Sequence, residues 1–295
     1  MSSSLGRGQF AAPPRTIGTS LAARMALGSA RSQIGWLVLA FGSFLFWVVA
    51  WHADISAFRF SAGRVVQTQG EWLYCRETRF SVGGSEDERG TPIYENYFRY
   101  EVAGRSFTES SFATGACPGG QVVVEYLREQ PEVSRIAGMR RNVFGPWAAM
   151  TAVVPAVGLL LVVAACVEGL TRVRLLRDGL LATGTLIEKT RTNIETSSGQ
   201  VYRLTLEYTA QSGATGRVTT RTNRPERLED KSGALLFYDP ADLTRAVLLA
   251  SLPGSIAADK TGQPIARPSR AFLVVPALTI LGNVWYVYHH WIAGP

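Results

Sequence analysis

Few side chains in this chain could bind a metal or act as nucleophiles: three histidines, His52, His289 and His290, and three cysteines, Cys75, Cys117 and Cys166. His52 closes the first of three apolar runs, and His289 and His290 close the third. Imidazoles gathered at one membrane boundary could ligate a metal or haem, which makes these three the candidate ligands. No acidic or sulfur ligand stands at helical spacing beside them, so the preferred reading is interfacial anchorage, with the ring apolar and its edge polar. No cofactor is therefore expected. With every histidine at the membrane, no Ser-His-acid triad can assemble, and no Gly-Lys-Ser/Thr loop occurs to cradle a phosphate. The chain reads as non-enzymatic, with no catalytic residue.

The cysteines suggest a covalent role instead. Cys75 and Cys117 share one polar segment, whereas Cys166 lies in an apolar run. A bridge between the first two would close a loop of about 40 residues, worth about 4 kcal/mol in the chain-entropy model. Two separate thiols are the alternative, because spacing alone does not give disulfide geometry.

The elements that must position these residues are membrane spans. Val143 to Val167 carries no charge and exceeds the roughly 20 residues needed to cross a bilayer. A first span covers residues 34–52, with Trp36, Trp47 and Trp51 near its ends, and a third covers 271–292, with an aromatic belt of Trp285, Tyr286, Tyr288 and Trp291. The first run is read as an uncleaved anchor. A signal peptide is the rival, since Val48-Val49-Ala50 resembles a cleavage site, but the lead is long and the run rich in Trp. Within the spans Pro155, Pro276 and Asn283 are the notable breaks. No charge lies within the apolar runs, which argues against a proton or ion carrier.

Composition sets the sidedness. The chain is basic, at formal +7, and only 3 of its 30 basic residues are Lys, a bias that suggests a GC-rich bacterial genome. Residues 1–33 hold four Arg, no acid and much Ser, Ala, Gly and Pro, the profile of a disordered cytoplasmic tail. Segment 54–142 carries 11 basic and 12 acidic residues, and segment 168–270 carries 15 and 11. Basic residues flank the spans on one side if the amino terminus is cytoplasmic, with Arg140 and Arg141 the dissenting pair. The expected order is tail, span, outer domain 54–142, span 143–167, cytoplasmic domain 170–254, linker 255–270, and span.

Both polar segments alternate with period two, as in Phe98-Arg99-Tyr100-Glu101-Val102 and Tyr202-Arg203-Leu204-Thr205-Leu206. Each is expected to form a small antiparallel barrel or sandwich of five or six strands. They read as diverged copies of one unit, matching Gly63 with Gly184, Tyr100 with Tyr208, Tyr126 with Tyr238, and Pro131 approximately with Pro240. The first is lengthened by a stretch at 70–92 whose acidic tip, 83–90, reads as a solvated loop.

The pattern Gly63, Val65, Tyr97, Tyr100, Val102, Gly104, Phe107, Gly119, Val122, Val124, Tyr126, Pro131 and Ser134 resembles the bacterial membrane family catalogued as domain of unknown function 3592. The second segment keeps Gly184, Tyr208, Gly233, Leu235, Tyr238, Pro240 and Thr244 but departs from it at 211–216. The resemblance implies a small β domain tethered to transmembrane helices, with no activity attached.

The basic run Arg217, Arg221, Arg224 and Arg227 lacks the interleaved aromatics that base stacking requires. A solvated surface, or one facing anionic lipid, is the better reading, and nucleic acid is not an expected partner. The expected partners are the bilayer and either another protein or a second copy of the chain. The functional reading is an interaction, scaffold or assembly component of the bacterial inner membrane. The alternatives are a sensor whose outer domain binds a ligand or responds to redox state through Cys75 and Cys117, and a metal or haem protein using the three histidines.

Overall fold

The computed structural model describes residues 10–84, 90–115, 117–196, 199–223, 225, 233–254, 256–266 and 269–292. It divides into two units, 39–156 and the remainder of the chain. Three helical segments are long and apolar enough to cross a membrane: Ala30–His52, Pro146–Asp178 and Ala271–Ile292.

In the unit 39–156, helix α3 (Ser56–Ala62) leads into β1 (Val65–Val82), β2 (Thr91–Val102), β3 (Arg105–Thr114), β4 (Gln121–Leu127) and β5 (Gln130–Ile136). All neighbours are antiparallel, in the order β3-β2-β1-β4-β5. Alternation drives the fold: Phe98 and Tyr100 of β2 and Val122 and Val124 of β4 form one buried cluster, while Arg99 and Glu101 face out. The free edges are stitched where the Ile136 amide donates to Ser111 Oγ (2.9 Å) and Phe112 bridges Arg140. The domain's entry and exit are also tied. The Asp54 amide donates to the Phe144 carbonyl (2.8 Å), that of Phe144 to His52 (3.0 Å), and that of Arg141 to the buried Asp54 carboxylate (2.8 Å).

In the other unit, α1 (Thr19–Leu27) precedes α2 (Ala30–Val48), which continues into the first unit, and α4 (Val153–Asp178) enters from it. Gly179 alone separates α4 from β6 (Leu180–Thr196), followed by β7 (Gly199–Thr209), β8 (Thr215–Thr222), β9 (Ala234–Asp239) and β10 (Asp242–Leu248). This sheet has the order β10-β9-β6-β7-β8 and curls until β8 and β10 lie side by side, nearly a barrel. A hairpin of β11 (Ile256–Ala258) and β12 (Pro264–Ala266) precedes α5 (Val274–Val287).

The two sheets share more than strand order. Gly70 lies opposite Tyr100 and Val122 in the first, and Gly184 opposite Tyr208 and Ala234 in the second. The register of β1 shifts at Trp72/Tyr74 and Glu77/Ser81; that of β6 shifts at Leu186/Glu188 and Arg191/Glu195, the same positions counted from the glycine. Such bulges bend a strand, as a long first strand must to pair on both sides. Both glycines sit where a side chain would collide: an added Cβ would lie 2.7 Å from Val124 Cγ2 at Gly70 and 3.0 Å from Leu236 Cδ2 at Gly184. Tyr100 donates its hydroxyl to the Pro131 carbonyl, and Tyr208 donates to that of Leu243 (2.7 Å). By register, Tyr100 and Tyr208 hold equivalent positions, as do Tyr126 and Tyr238, Gly70 and Gly184, and Pro131 and Leu243. Gly63 instead closes α3, its amide bonded to the Arg59 carbonyl (2.7 Å), much as Gly179 closes α4 on Leu175 (2.9 Å).

Three boundaries differ from expectation. The described part of the expected disordered tail, 10–33, is ordered: Phe10, Leu21 and Met25 are buried with Leu175, Leu176 and Phe237. A segment too polar to build its own core here completes the core of a sheet distant in sequence. Residues 1–9 lie outside the described residues. The middle helix runs 11 residues past Val167, to Asp178, because Glu168 and Arg172 pair one turn apart (2.6 Å) and Leu175 and Leu176 join the sheet's core. The expected linker 255–270 holds the β11–β12 hairpin, with Thr261 and Gly262 in its turn.

Candidate functional site

The fold turns one face of the β6–β7–β8 sheet toward a wide cleft of about 1300 Å³. Its floor follows from register. Leu204, Leu206 and Val218 point into the core, so Arg203, Thr205, Thr219 and Arg221 point out between them. One cross-strand row is Thr190–Arg203–Arg221, and the next is Glu188–Thr205–Thr219. The walls are the turn Gly28–Arg31 between α1 and α2, the end of α4 from Glu168 to Leu175, and β10 from Thr244 to Leu248.

Arginine outnumbers acid five to two in the lining: Arg31, Arg172, Arg203, Arg221 and Arg245 against Glu168 and Glu188. Some of this charge is used internally. Glu168 accepts from both Arg31 (3.0 Å) and Arg172 (2.6 Å), and Arg245 pairs with Asp242 (3.1 Å), whose carboxyl is held below its usual range by hydrogen bonds from Thr244. Glu188 accepts from Thr190 Oγ1 (3.1 Å) and Thr205 Oγ1 (3.5 Å). Arg203 and Arg221 stand directly opposite each other, and no ion pair to either is seen among the described residues. Opposed like charges on neighbouring strands destabilise a sheet.

The equivalent face of the other sheet has the reverse character. At the positions of Thr190, Arg203 and Arg221 stand Arg76, Glu95 and Phe112, and Arg76 and Glu95 form a salt bridge (2.8 Å). Where Glu188 and Thr205 lie in one sheet, Tyr74 and Tyr97 stack in the other, with ring centroids 4.5 Å apart. One plan thus carries an aromatic, charge-paired face and an arginine-threonine face.

Of the expected basic run, Arg221 lines the cleft, Arg217 lies one row beyond and pairs with Glu207 (3.1 Å), and Arg224 and Arg227 lie outside the described residues. Arg203 was not visible as a partner because its proximity to Arg221 arises from pairing between β7 and β8. Counting back from the Gln211–Ala214 hairpin gives that register and is the signal that would have found it.

Cys75 and Cys117 lie at disulfide distance, with Cα atoms 6.1 Å apart, linking β1 to the connection between β3 and β4. The acidic tip at 85–89 lies outside the described residues. The histidines contact aromatic rings: His52 with Phe80 (5.9 Å), His289 with Trp285 (4.9 Å) and His290 with Tyr286 (5.5 Å). Among the described residues no group of three or more His, Cys, Asp or Glu is placed to hold a metal ion. Asn283 donates to the Thr279 carbonyl within its own helix (2.8 Å).

Arg15 has a structural role. Its buried guanidinium donates to the Leu176 (3.0 Å) and Gly179 (2.9 Å) carbonyls, at the end of α4, and lies over the Phe237 ring. It satisfies acceptors that a helix end leaves orphaned. Burial lowers its pKa from the ordinary arginine value. No family model matches the chain, and no curated protein or solved structure is significantly similar to it.

Proposed function

We propose that this is a three-span protein of the bacterial inner membrane that serves as an interaction, scaffold or assembly component, with one β domain on each side. The observation that carries the reading is the direct fusion of sheet to helix: one residue separates α4 from β6, and Arg15 locks that junction. A β domain fixed in this way presents its faces at a set height above the bilayer, which suits a docking platform. The positive-inside asymmetry supports placing the amino terminus and residues 180–248 in the cytoplasm and residues 65–136 outside.

The shared register supports reading the two sheets as diverged copies of one unit, and the turn and core residues of that unit support kinship with the domain of unknown function 3592. Their faces differ, as expected if each meets a different partner. A redox-sensing role for the outer copy draws its support from the Cys75–Cys117 pair alone. Purification of tagged protein from native membranes in mild detergent, followed by mass spectrometry, tests the platform role. A partner recovered at fixed stoichiometry supports it; recovery of the chain alone, as a monomer, counts against it.

A further inference from the structure

We infer that the cleft over β7 and β8 is a binding site for a phosphate group, with Arg203 and Arg221 as its principal ligands. The inference goes beyond the platform role and does not depend on it.

Arg203 and Arg221 are adjacent across two strands, where Cβ atoms lie about 4.5–5.5 Å apart. Two planar guanidiniums at that spacing can donate together to the oxygens of one tetrahedral oxyanion, the geometry for which arginine is best suited. A sheet that places like charges face to face is less stable until an anion joins them. The neighbouring side chains fit the same chemistry: Thr219 offers a hydroxyl on the cleft floor, where Thr190 and Thr205 already donate to Glu188, and Arg31 and Arg172, which share the single carboxylate of Glu168, leave one net positive charge on the helical wall. The same plan in the other unit places Glu95 between Arg76 and Phe112, which cancels the charge. The arginine pair is therefore a property of this face and not of the fold.

Such a phosphate could belong to a lipid headgroup or to a soluble phosphoester. The helical wall is formed by α4 just beyond its apolar stretch and by the turn that begins α2, both of which place the cleft close to where the helices leave their apolar segments.

The test uses the full chain in micelles of dodecyl maltoside, a detergent without phosphate. Inorganic pyrophosphate is titrated calorimetrically, and lipid retention is measured by native mass spectrometry after addition of phosphatidic acid. Wild type should bind at least one probe saturably. Arg203→Gln/Arg221→Gln should weaken it at least about tenfold, whereas Arg217→Gln, outside the cleft and paired with Glu207, should change it less than about twofold. Binding of pyrophosphate points to a soluble phosphate compound, and retention of phosphatidic acid alone points to a lipid headgroup; either supports the site. The double variant should unfold at or above the wild-type temperature, so lost binding cannot be ascribed to lost folding. Binding of neither probe by wild type, or equal loss in Arg217→Gln, overturns the inference.

Discussion

Arg203 on β7 stands directly opposite Arg221 on β8, a cation facing a cation across a single strand interval. Relieving that opposition has a predictable sign. Arg221→Glu replaces repulsion with a cross-strand ion pair and should stabilise the unit by up to about 1 kcal/mol at low ionic strength, with the gain shrinking as salt rises. Thermal unfolding at two salt concentrations measures it. A stabilised variant that no longer binds a phosphate probe would show stability and binding opposed at one position.

Tyr100 and Tyr208 occupy equivalent positions and hold equivalent carbonyls, those of Pro131 and Leu243. Tyr→Phe at either site leaves a carbonyl without its donor and should cost about 1–3 kcal/mol. Burial raises both phenol pKa values above the ordinary tyrosine range. The unfolded chain therefore loses these protons first. The stability they confer is intact below about pH 10 and declines as pH rises through that range toward the folded pKa values. Unfolding followed from pH 8 to 11 should show a decline in wild type that is smaller in Tyr100→Phe/Tyr208→Phe.

Arg15→Ala should destabilise the unit that contains α4 and β6 by about 1–3 kcal/mol, because the carbonyls of Leu176 and Gly179 lose their donor. A disordered tail would tolerate the change. Hydrogen exchange at β6 and β9 reads the difference: faster exchange is expected in the variant.

Reduction of the Cys75–Cys117 pair should loosen the unit 39–156. The residues are 42 apart, for which the chain-entropy model gives about 4 kcal/mol. Limited proteolysis near β3 and β4, with and without reductant, measures the effect; Cys75→Ser should behave as the reduced protein does.

Much of this architecture is legible from residue pattern, for identifiable reasons. The three helical segments long enough to cross a membrane are continuous apolar runs, and the strands alternate strictly through Tyr100 and Leu206, so both patterns survive in one dimension. The boundaries were harder. Phe10 and Met25 lie in a compositionally disordered segment, and the core they complete belongs to residues 175–256, a relation no local window contains. Gly63 does not answer to Gly184, because it ends a helix, while the glycine that the close strand crossing requires is Gly70. The cleft was half visible: Arg221 lies in an obvious basic run, but Arg203 joins it only through pairing in space.

The arrangement of one β domain on each side of the membrane is tested most directly by single cysteines in a background lacking the native three. One is placed at Arg105, in the exposed β2–β3 hairpin, and one at Ser212, in the β7–β8 hairpin. The account predicts that an impermeant thiol reagent applied to intact cells with a permeable outer membrane labels Arg105→Cys and reaches Ser212→Cys only after the inner membrane is opened. Labelling of both from the outside, or of Ser212→Cys alone, would contradict it.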